Sequence, residues 1–338
     1  MRLIRAAAAL VLAAAALARA AEGAAAAPPV APSAVASPTA PVDCPPEPQP
    51  FSPEDVAAGM RAATDSGFLW KATRGGATVW LYGTIHIAQR AWRFPGPHVL
   101  AALKASDAVA LELDPLDPDT LARFQRAIVR RPGSPELPAP VAARLRAQMV
   151  AACIDPAALE PLRPEMRAVT IEVMGGRRLG LQPDYGIDLF LAQLARTLDK
   201  PIRSLETPEQ QAALLVSDDP RETERQVRDL LDELEGGRGP RILSRLAQDW
   251  HAGRLEDLAA YAGWCECMDT TAQRADFARL IDERNPPMAR RVADWATPGT
   301  TQFVAVGSLH MTGAIGLPAL LKDKGFEVRR VDFADPLR

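Results

Sequence analysis

Short apolar runs, bounded by glycine, proline or aspartate, predict β-strands near both ends of the chain. The predicted strands are 69–72, 78–82, 108–113, 201–205, 302–306 and 326–331. Helical patterns over 97–105 and 316–324 connect strands at the two ends. This alternation of strands and helices predicts an α/β fold.

Helical patterns dominate the middle of the chain, from about residue 118 to residue 295. Thr207-Pro208-Glu209-Gln210 has the sequence of a capping box with proline at the first helical position. The strand at 201–205 is the one predicted interruption. We therefore expect a large helical insert between the two α/β ends.

The two ends repeat one pattern: a strand, a Gly-x-x-His sequence, a helix, and a strand that ends in an acidic residue. The first copy contains Gly83–His86 and ends at Glu112, and the second contains Gly307–His310 and ends at Asp332. Strand–helix–strand units normally pair in parallel through a right-handed crossover. The repeat therefore predicts a duplicated core with a mixed, mainly parallel sheet.

The start of the chain has the features of a secretory signal peptide. Arg2 and Arg5 precede an apolar stretch over 6–17, and Ala18-Arg19-Ala20 is the small-x-small pattern before a cleavage site at Ala21. The apolar stretch is shorter than the roughly 20 residues that span a bilayer. An uncut membrane anchor and a lipoprotein are the alternatives that these features disfavour.

Three segments follow from this reading of the N-terminus. Residues 1–20 are the predicted signal peptide, and residues 21–50, mostly alanine and proline, predict a disordered or extended linker. The folded domain is expected over 51–338. We expect an exported protein, periplasmic or secreted, with no stable membrane insertion.

The charge of the chain narrows the class of partner. The formal net charge is -3 over 338 residues, without a long run of like charge. A nucleic-acid partner would require a basic surface. We therefore expect no binding to nucleic acid.

Four cysteines follow the predicted signal peptide: Cys44, Cys153, Cys265 and Cys267. An even number of cysteines in an oxidising compartment predicts disulfides, and four cysteines allow three pairings. A bridge between Cys265 and Cys267 would close a very tight ring, so we expect each of them to pair with a distant partner. A zinc site is the alternative, but paired C-x-x-C spacing and a suitable nearby histidine are missing.

Three potential metal ligands stand at predicted strand ends: His86, Glu112 and His310. In open α/β sheets, functional groups collect beyond the carboxyl ends of the strands, and a glycine there lets the chain turn sharply. Two imidazoles and a carboxylate suit a divalent transition metal that activates water for hydrolysis. A structural role for Gly-x-x-His is the alternative. His98 and His251 do not fit the pattern and are expected at a helix face or cap.

Five further residues have weaker signals. Glu206 follows a predicted strand and precedes a helix start. It is a candidate general base or further ligand, and the alternative is a carboxylate that the helix N-terminus stabilises. Arg284 could stabilise an oxyanion or a peptide carboxylate, or form a buried salt bridge with one of the acidic residues. Asp188 is predicted to cap a helix rather than to act in catalysis. Tyr82 and Asn285 are candidates for lining the site.

The chain resembles the TraB/GumN family over about 68–332. The motifs that carry the resemblance are Leu69-Trp70-Lys71, Leu81-Tyr82-Gly83-Thr84-Ile85-His86, Leu111-Glu112-Leu113-Asp114, Gly186-Ile187-Asp188, Leu205-Glu206-Thr207, Arg284-Asn285 and Val306-Gly307-Ser308-Leu309-His310. The family is related to Tiki-type proteins and, more remotely, to the erythromycin-esterase and ChaN-like group. The resemblance therefore implies the fold of that group for the duplicated core.

Tiki-like members are metal-dependent proteases that use two Gly-x-x-His motifs and an acid. The resemblance thus implies His86, Glu112 and His310 as metal ligands or catalytic groups. It also implies Mn, Co or Zn as cofactor and a peptide or protein as substrate. A second hypothesis is a non-catalytic exported accessory or binding protein, in polysaccharide production or peptide-signal control. The presence of both histidines and Glu112 favours the hydrolase, and the oligomeric state stays open.

Overall fold

A computed structural model describes residues 44–336, so the predicted signal peptide and the linker up to residue 43 lie outside the described residues. The strands are β1 Phe68–Arg74, β2 Ala77–Thr84, β3 Ala108–Leu111, β4 Ile202–Ser204, β5 Thr301–Gly307 and β6 Glu327–Arg330. Within the described residues they form one six-stranded sheet in the order β4-β3-β5-β2-β1-β6.

The sheet is mixed. β1 and β2 form an antiparallel hairpin whose turn uses Gly75 and Gly76 at φ 55° and 82°, a conformation that glycine adopts without steric cost. β1 also pairs antiparallel with β6, whereas the pairs β2–β5, β3–β5 and β3–β4 are parallel. All strands except β1 therefore run in one direction, and the predicted mixed α/β sheet is confirmed.

The predicted direct pairing of β2 with β3 is wrong, because β5 lies between them. β5 has a run of five buried residues, and a strand of that kind is stable where neighbours cover both its edges and its faces. β6 pairs with β1 at the sheet edge instead of lying beside β5. A duplicated core of the ChaN-like type stays a prediction.

Three helices lie outside the insert in the sequence: α1 Pro53–Ala62 and α2 Pro97–Lys104 precede it, and α15 Leu317–Asp323 follows it. The insert between β3 and β5 contains α3 Pro118–Ile128, α4 Ala139–Ala151, α5 Pro156–Leu159, α6 Pro164–Met174, α7 Ile187–Thr197, α8 Pro208–Leu215, α9 Pro220–Glu235, α10 Arg238–His251, α11 Leu255–Ala259, α12 Tyr261–Trp264, α13 Thr271–Phe277 and α14 Asn285–Trp295. A π-helical turn, Ala278–Asp282, precedes α14. Thr207 caps α8 with the predicted capping box.

The order of the strands creates a topological switch point between β2 and β5. From β2 the chain crosses through α2 to β3 on one side, and from β5 it crosses through α15 to β6 on the other. In open α/β sheets the crevice outside the carboxyl ends of such a strand pair is where ligands bind. Both Gly-x-x-His motifs begin at the carboxyl ends of these two strands.

Two hydrophobic cores pack against each other. One surrounds the sheet and contains Phe303 and Leu81, and the other lies within the insert and contains Phe124 and Leu231. Ile85, next to the first motif histidine, and Leu309, next to the second, are partly buried against both cores. The crevice at the switch point therefore lies where the insert meets the sheet.

The described residues contain two disulfides, Cys44–Cys153 and Cys265–Cys267. The prediction that disulfides form is confirmed, but the expectation that Cys265 and Cys267 each pair with a distant partner is wrong. Glu266 between them has φ 50°, and this left-handed residue turns the chain so that the two side chains meet. Both cysteines are fully buried beside Tyr261, whose hydroxyl oxygen lies 3.3 Å from the Cys267 sulfur.

The last residues of the predicted linker, 44–50, lie against the domain. The guanidinium of Arg177 donates to Glu47 at 2.7 Å, and the Gln49 N–H donates to the Tyr185 hydroxyl at 3.0 Å. The bridge from Cys44 to Cys153, after α4, holds this segment to the insert. Among the described residues, no helix is long and apolar enough to cross a membrane.

Candidate metal centre at the switch point

His86 follows β2, and a residue of the insert, Asp188, orients its ring. Its Nδ1 lies 2.7 Å from Asp188 Oδ2, and the Thr84 hydroxyl donates to the other oxygen of Asp188 at 2.6 Å. The backbone brings Asp188 here because the Ile187 N–H donates to the Ile85 carbonyl at 3.0 Å. A Cβ on Gly186 would lie 2.4 Å from the His86 carbonyl oxygen, so this close approach requires glycine.

His310 has a similar arrangement after β5. Its Nδ1 lies 2.6 Å from Asn285 Oδ1, at the start of α14, and both residues are buried. The amide oxygen can only accept, so Nδ1 of His310 carries the hydrogen. In each histidine a held Nδ1 leaves Nε2 as the nitrogen that faces the crevice.

Glu112, directly after β3, lies between the two rings. Its Oε1 is 3.8 Å from Nε2 of His86 and 4.0 Å from Nε2 of His310, and it accepts the Gly307 N–H at 2.9 Å. Thus the structure brings together the three side chains that the sequence assigned to a metal site. The glycine of the second motif contributes its backbone N–H as well as the turn.

A buried ion cluster holds the other side of Glu112. Nη2 of Arg284 donates to Glu112 Oε2 at 2.5 Å and also to Glu206, and Nε donates to Glu206 Oε1 at 2.8 Å. The Gln211 amide donates to Glu112 at 3.2 Å and to Glu206 at 3.0 Å. Arg284 therefore forms the buried salt bridge that was the alternative to oxyanion binding, and it fixes the direction of Glu112.

The electrostatics of the cluster give the two histidines opposite tendencies. Burial alone lowers the pKa of His86, but the charge and hydrogen bond of Asp188, and then Glu112, outweigh it and raise the pKa to about 9. Burial, and then the charge of Arg284, lower the pKa of His310 to about 3. Burial favours a neutral Glu112, yet Arg284 and the nearby histidines hold its pKa well below its usual range.

These side chains fit a divalent metal in their chemistry. Each Nδ1 is held by an oxygen acceptor, the arrangement that normally orients metal-bound histidines, and Glu112 is kept as an anion. A Cβ on Gly307 would lie 3.3 Å from His86 Nε2, 3.4 Å from Glu112 Oε1 and 3.7 Å from a ring carbon of His310. The absent Cβ of this glycine therefore leaves room among the three groups.

The spacing is slightly wider than that of bound ligands. Bond lengths of about 2.0–2.2 Å place neighbouring ligand atoms of a tetrahedral site about 3.4 Å apart, compared with 3.8 and 4.0 Å here. Within residues 44–336, no three histidine, cysteine or acidic side chains stand close enough to hold an ion without moving.

Of the two residues predicted to line the site, only Asn285 does so. Asn285 contacts His310 as described, whereas Tyr82 does not turn into the crevice: its hydroxyl donates to the Ser66 carbonyl at 2.9 Å and its ring packs near Phe303. The expectation for Tyr82 is wrong, because its buried hydroxyl group is hydrogen-bonded to Ser66 and does not face the crevice.

The two other histidines lie outside the crevice, as expected from the sequence. His98, at the start of α2, bonds Asp65 at 2.8 Å, and His251, at the end of α10, stacks on Trp92. Sequence reasoning missed Gln211 and favoured capping over catalysis for Asp188. Asp188 stands one residue into α7, where a capping carboxylate and a histidine partner give the same signal.

An apolar cavity of about 80 Å³ is lined in part by the two candidate ligands His86 and His310. Besides these histidines and Arg284, the lining contains aliphatic side chains from the insert and from the segments around the two motifs. The indole N–H of Trp250 donates to the Gly83 carbonyl at 2.7 Å and holds α10 against the end of β2. The cavity therefore has a fixed position relative to the ligands.

The fold and site define a class of protein: an α/β protein with two histidines and a glutamate at the switch point of its sheet, held in place by a helical insert. The chain belongs to the TraB/PrgY/gumN family, whose model matches residues 68–330. That match includes every residue of the candidate site.

Three curated relatives give the wider context. The chain is 26% identical over 281 residues to "Uncharacterized protein YbaP" of Escherichia coli (strain K12), which covers 75% of this chain and 97% of the relative. The same values hold for YbaP of Shigella flexneri. It is 24% identical over 335 residues to "Metalloprotease TIKI1" of Danio rerio, covering 85% of this chain and 68% of the relative. No solved structure matches the chain significantly.

Proposed function

We propose that this protein is an exported metal-dependent hydrolase and that it cleaves peptide bonds. The observation that carries the proposal is the shared carboxylate oxygen of Glu112, which lies within 4.0 Å of Nε2 of both His86 and His310. The similarity to a relative described as a metalloprotease supports the same reaction class.

His86, His310 and Glu112 would hold the metal, and a divalent cation there would polarise a carbonyl group and make water a better nucleophile. Peptide hydrolysis needs both effects. The water oxygen forms a bond to the carbonyl carbon, the carbon–nitrogen bond breaks, and a proton from the water ends on the leaving nitrogen. The protein's own task is to hold these groups in the crevice.

Arg284 and Glu206 act in this proposal as positioning residues. Their charges are used within the cluster, where Arg284 contacts both carboxylates and its Nη1 donates to the Leu280 carbonyl at 2.9 Å. With its pKa held low, Glu112 is an anion that suits a ligand better than a general base. Glu206 shares the single positive charge of Arg284 with Glu112.

The proposal is tested with metal analysis and a peptide library. Purified protein is loaded with Mn²⁺, Co²⁺ or Zn²⁺, and bound metal and cleavage are measured before and after chelation. We expect metal uptake that His86→Ala and His310→Ala abolish, with cleavage lost in parallel. His98→Ala and His251→Ala are matched controls, because both lie outside the crevice.

Three outcomes would contradict the hydrolase or its assigned ligands. Wild-type protein that takes up no metal and cleaves no peptide would leave the non-catalytic binding protein as the better explanation. Metal uptake that His98→Ala removes as completely as His86→Ala would show that the assigned ligands are wrong. Retained cleavage after complete chelation would also overturn a metal-dependent reaction.

A further inference from the structure

We infer that the apolar cavity beside the candidate metal centre is a specificity pocket for one branched aliphatic side chain of a peptide substrate. The inference rests on the proposed hydrolase function and adds the class of substrate. The cavity is lined by the aliphatic side chains of Ile87, Leu243, Leu246, Leu258, Ile281 and Leu309. A side chain placed there brings the adjoining backbone to His86 and His310, which line the same cavity.

The size of the cavity selects among apolar side chains. Its volume is about 80 Å³, roughly half of the ~150 Å³ apolar cavity that can hold benzene. A branched side chain such as leucine or valine matches this space, whereas an aromatic ring does not. An apolar cavity with a few polar groups converging on it is the usual form of a ligand-binding site, and this one lies beside the candidate reaction centre.

The chemistry of the walls excludes polar side chains. Apart from the site residues and the hydroxyl groups of Thr84 and Ser308, the described lining is aliphatic or is the ring of Trp250. The Ser308 hydroxyl already donates to the Thr84 carbonyl at 2.6 Å, and the Thr84 hydroxyl donates to Asp188. A lysine side chain would therefore lose its hydration without an acceptor.

Leu246 is the wall residue best suited to a test. It lies on α10 and is only partly buried, whereas its neighbour Leu243 is 4% exposed and packs deep in the insert. Shortening Leu246 to alanine enlarges the cavity with a small effect on the core. Leu234 on α9 is also partly buried against the insert but is not among the lining residues. Leu234→Ala is the matched control.

The first arm of the experiment measures cleavage. Peptides that differ only at the position preferred in a library carry alanine, valine, leucine, phenylalanine or lysine there. The metal-loaded wild type should cleave its best aliphatic peptide at least about tenfold faster, by kcat/KM, than the alanine, phenylalanine and lysine peptides. Leu246→Ala should raise the phenylalanine-to-leucine ratio at least about tenfold, and Leu234→Ala should leave it unchanged.

The second arm does not depend on activity. Binding of N-acetyl-leucinamide and N-acetyl-phenylalaninamide to metal-free protein is measured by ligand-detected nuclear magnetic resonance. The wild type should bind the leucine amide more tightly, and Leu246→Ala should reverse the order. Equal binding in the wild type, or a preference that Leu246→Ala leaves unchanged, overturns the pocket. Absence of all cleavage with a preserved leucine preference overturns the hydrolase and leaves the pocket standing.

Discussion

Arg284→Met should be among the most destabilising single substitutions in this chain. The guanidinium is 7% exposed and contacts two carboxylates that are 7% and 8% exposed. Methionine fills a similar volume but leaves Glu112 and Glu206 as buried charges without their cation. Breaking a buried ion pair in this way costs about 3–5 kcal/mol, a large part of the 5–15 kcal/mol that stabilises a typical domain.

The measurement is urea unfolding of metal-free protein in a chelator, followed by circular dichroism. The matched control is Arg123→Met, because Arg123 also pairs with a carboxylate, Glu209 at 2.7 Å, but both side chains are exposed. Exposed pairs contribute about 0–1 kcal/mol. The free energy of unfolding should therefore fall by several kcal/mol in the first variant and by less than about 1 kcal/mol in the second.

A second substitution separates charge from packing. Adding Glu206→Gln to Arg284→Met removes one of the two unpaired charges and should restore about 1 kcal/mol or more, within the usual range for coupled neighbours. An Arg284→Met variant within about 1 kcal/mol of wild type would refute the reasoning. So would a double variant that is no more stable than the single one, because packing would then explain the loss.

The same cluster sets a pH dependence. The pKa of Glu112 is held below its usual range in the folded protein, so this group contributes stability above its unfolded pKa of about 4.3, and that contribution is lost as pH falls through the folded pKa. In Arg284→Met, Glu112 is buried without this cation, and its pKa should be higher than in the wild type. The difference in stability between wild type and variant should therefore be widest near pH 7 and narrow below about pH 4.

Three further predictions follow from single features. Gly307→Ala should fold but take up at least tenfold less metal, because its Cβ would stand 3.3–3.7 Å from the three candidate ligands; Gly263→Ala, with open space around its Cβ, is the control in the same uptake assay. Replacing Cys44 and Cys153 by serine should lower the free energy of unfolding in urea by about 2–4 kcal/mol, since the bridge closes a separation of 109 residues. N-terminal sequencing of protein from a periplasmic extract should begin at Ala21, and intact protein in the membrane fraction would contradict the predicted signal peptide.

The sequence predicted the strands and the candidate ligands because both depend on local signals. A short apolar run followed by Gly-x-x-His marks a strand end, and strand ends of parallel sheets share one edge. That rule places His86, Glu112 and His310 near one another without knowledge of the strand order. The rule does not say which strands are neighbours, and β5 lies beside β2 where the strand–helix–strand pattern predicted β3.

The partners of these ligands were not predictable in the same way. Asp188 meets His86 across 102 positions of sequence, and Gln211 meets Glu112 across 99. Their own surroundings are ordinary helix starts, which predict a cap or a surface amide. The Cys265–Cys267 bridge was not predicted for a related reason. It depends on a left-handed backbone at Glu266, and that conformation is uncommon for glutamate.

The sheet and the insert both supply residues of the candidate site, so the proposed function depends on the insert as well as on the sheet. The sheet supplies the three candidate ligands, while Asp188 and Asn285, which hold the two Nδ1 atoms, come from the insert. Arg284, which holds Glu112, also comes from the insert, as do Leu243, Leu246, Leu258 and Ile281 of the aliphatic cavity lining. A shift of the insert on the sheet would therefore change the direction of the ligands and the shape of the cavity together. In the proposed hydrolase, one packing interface would thus set both the geometry of the metal centre and the choice of substrate.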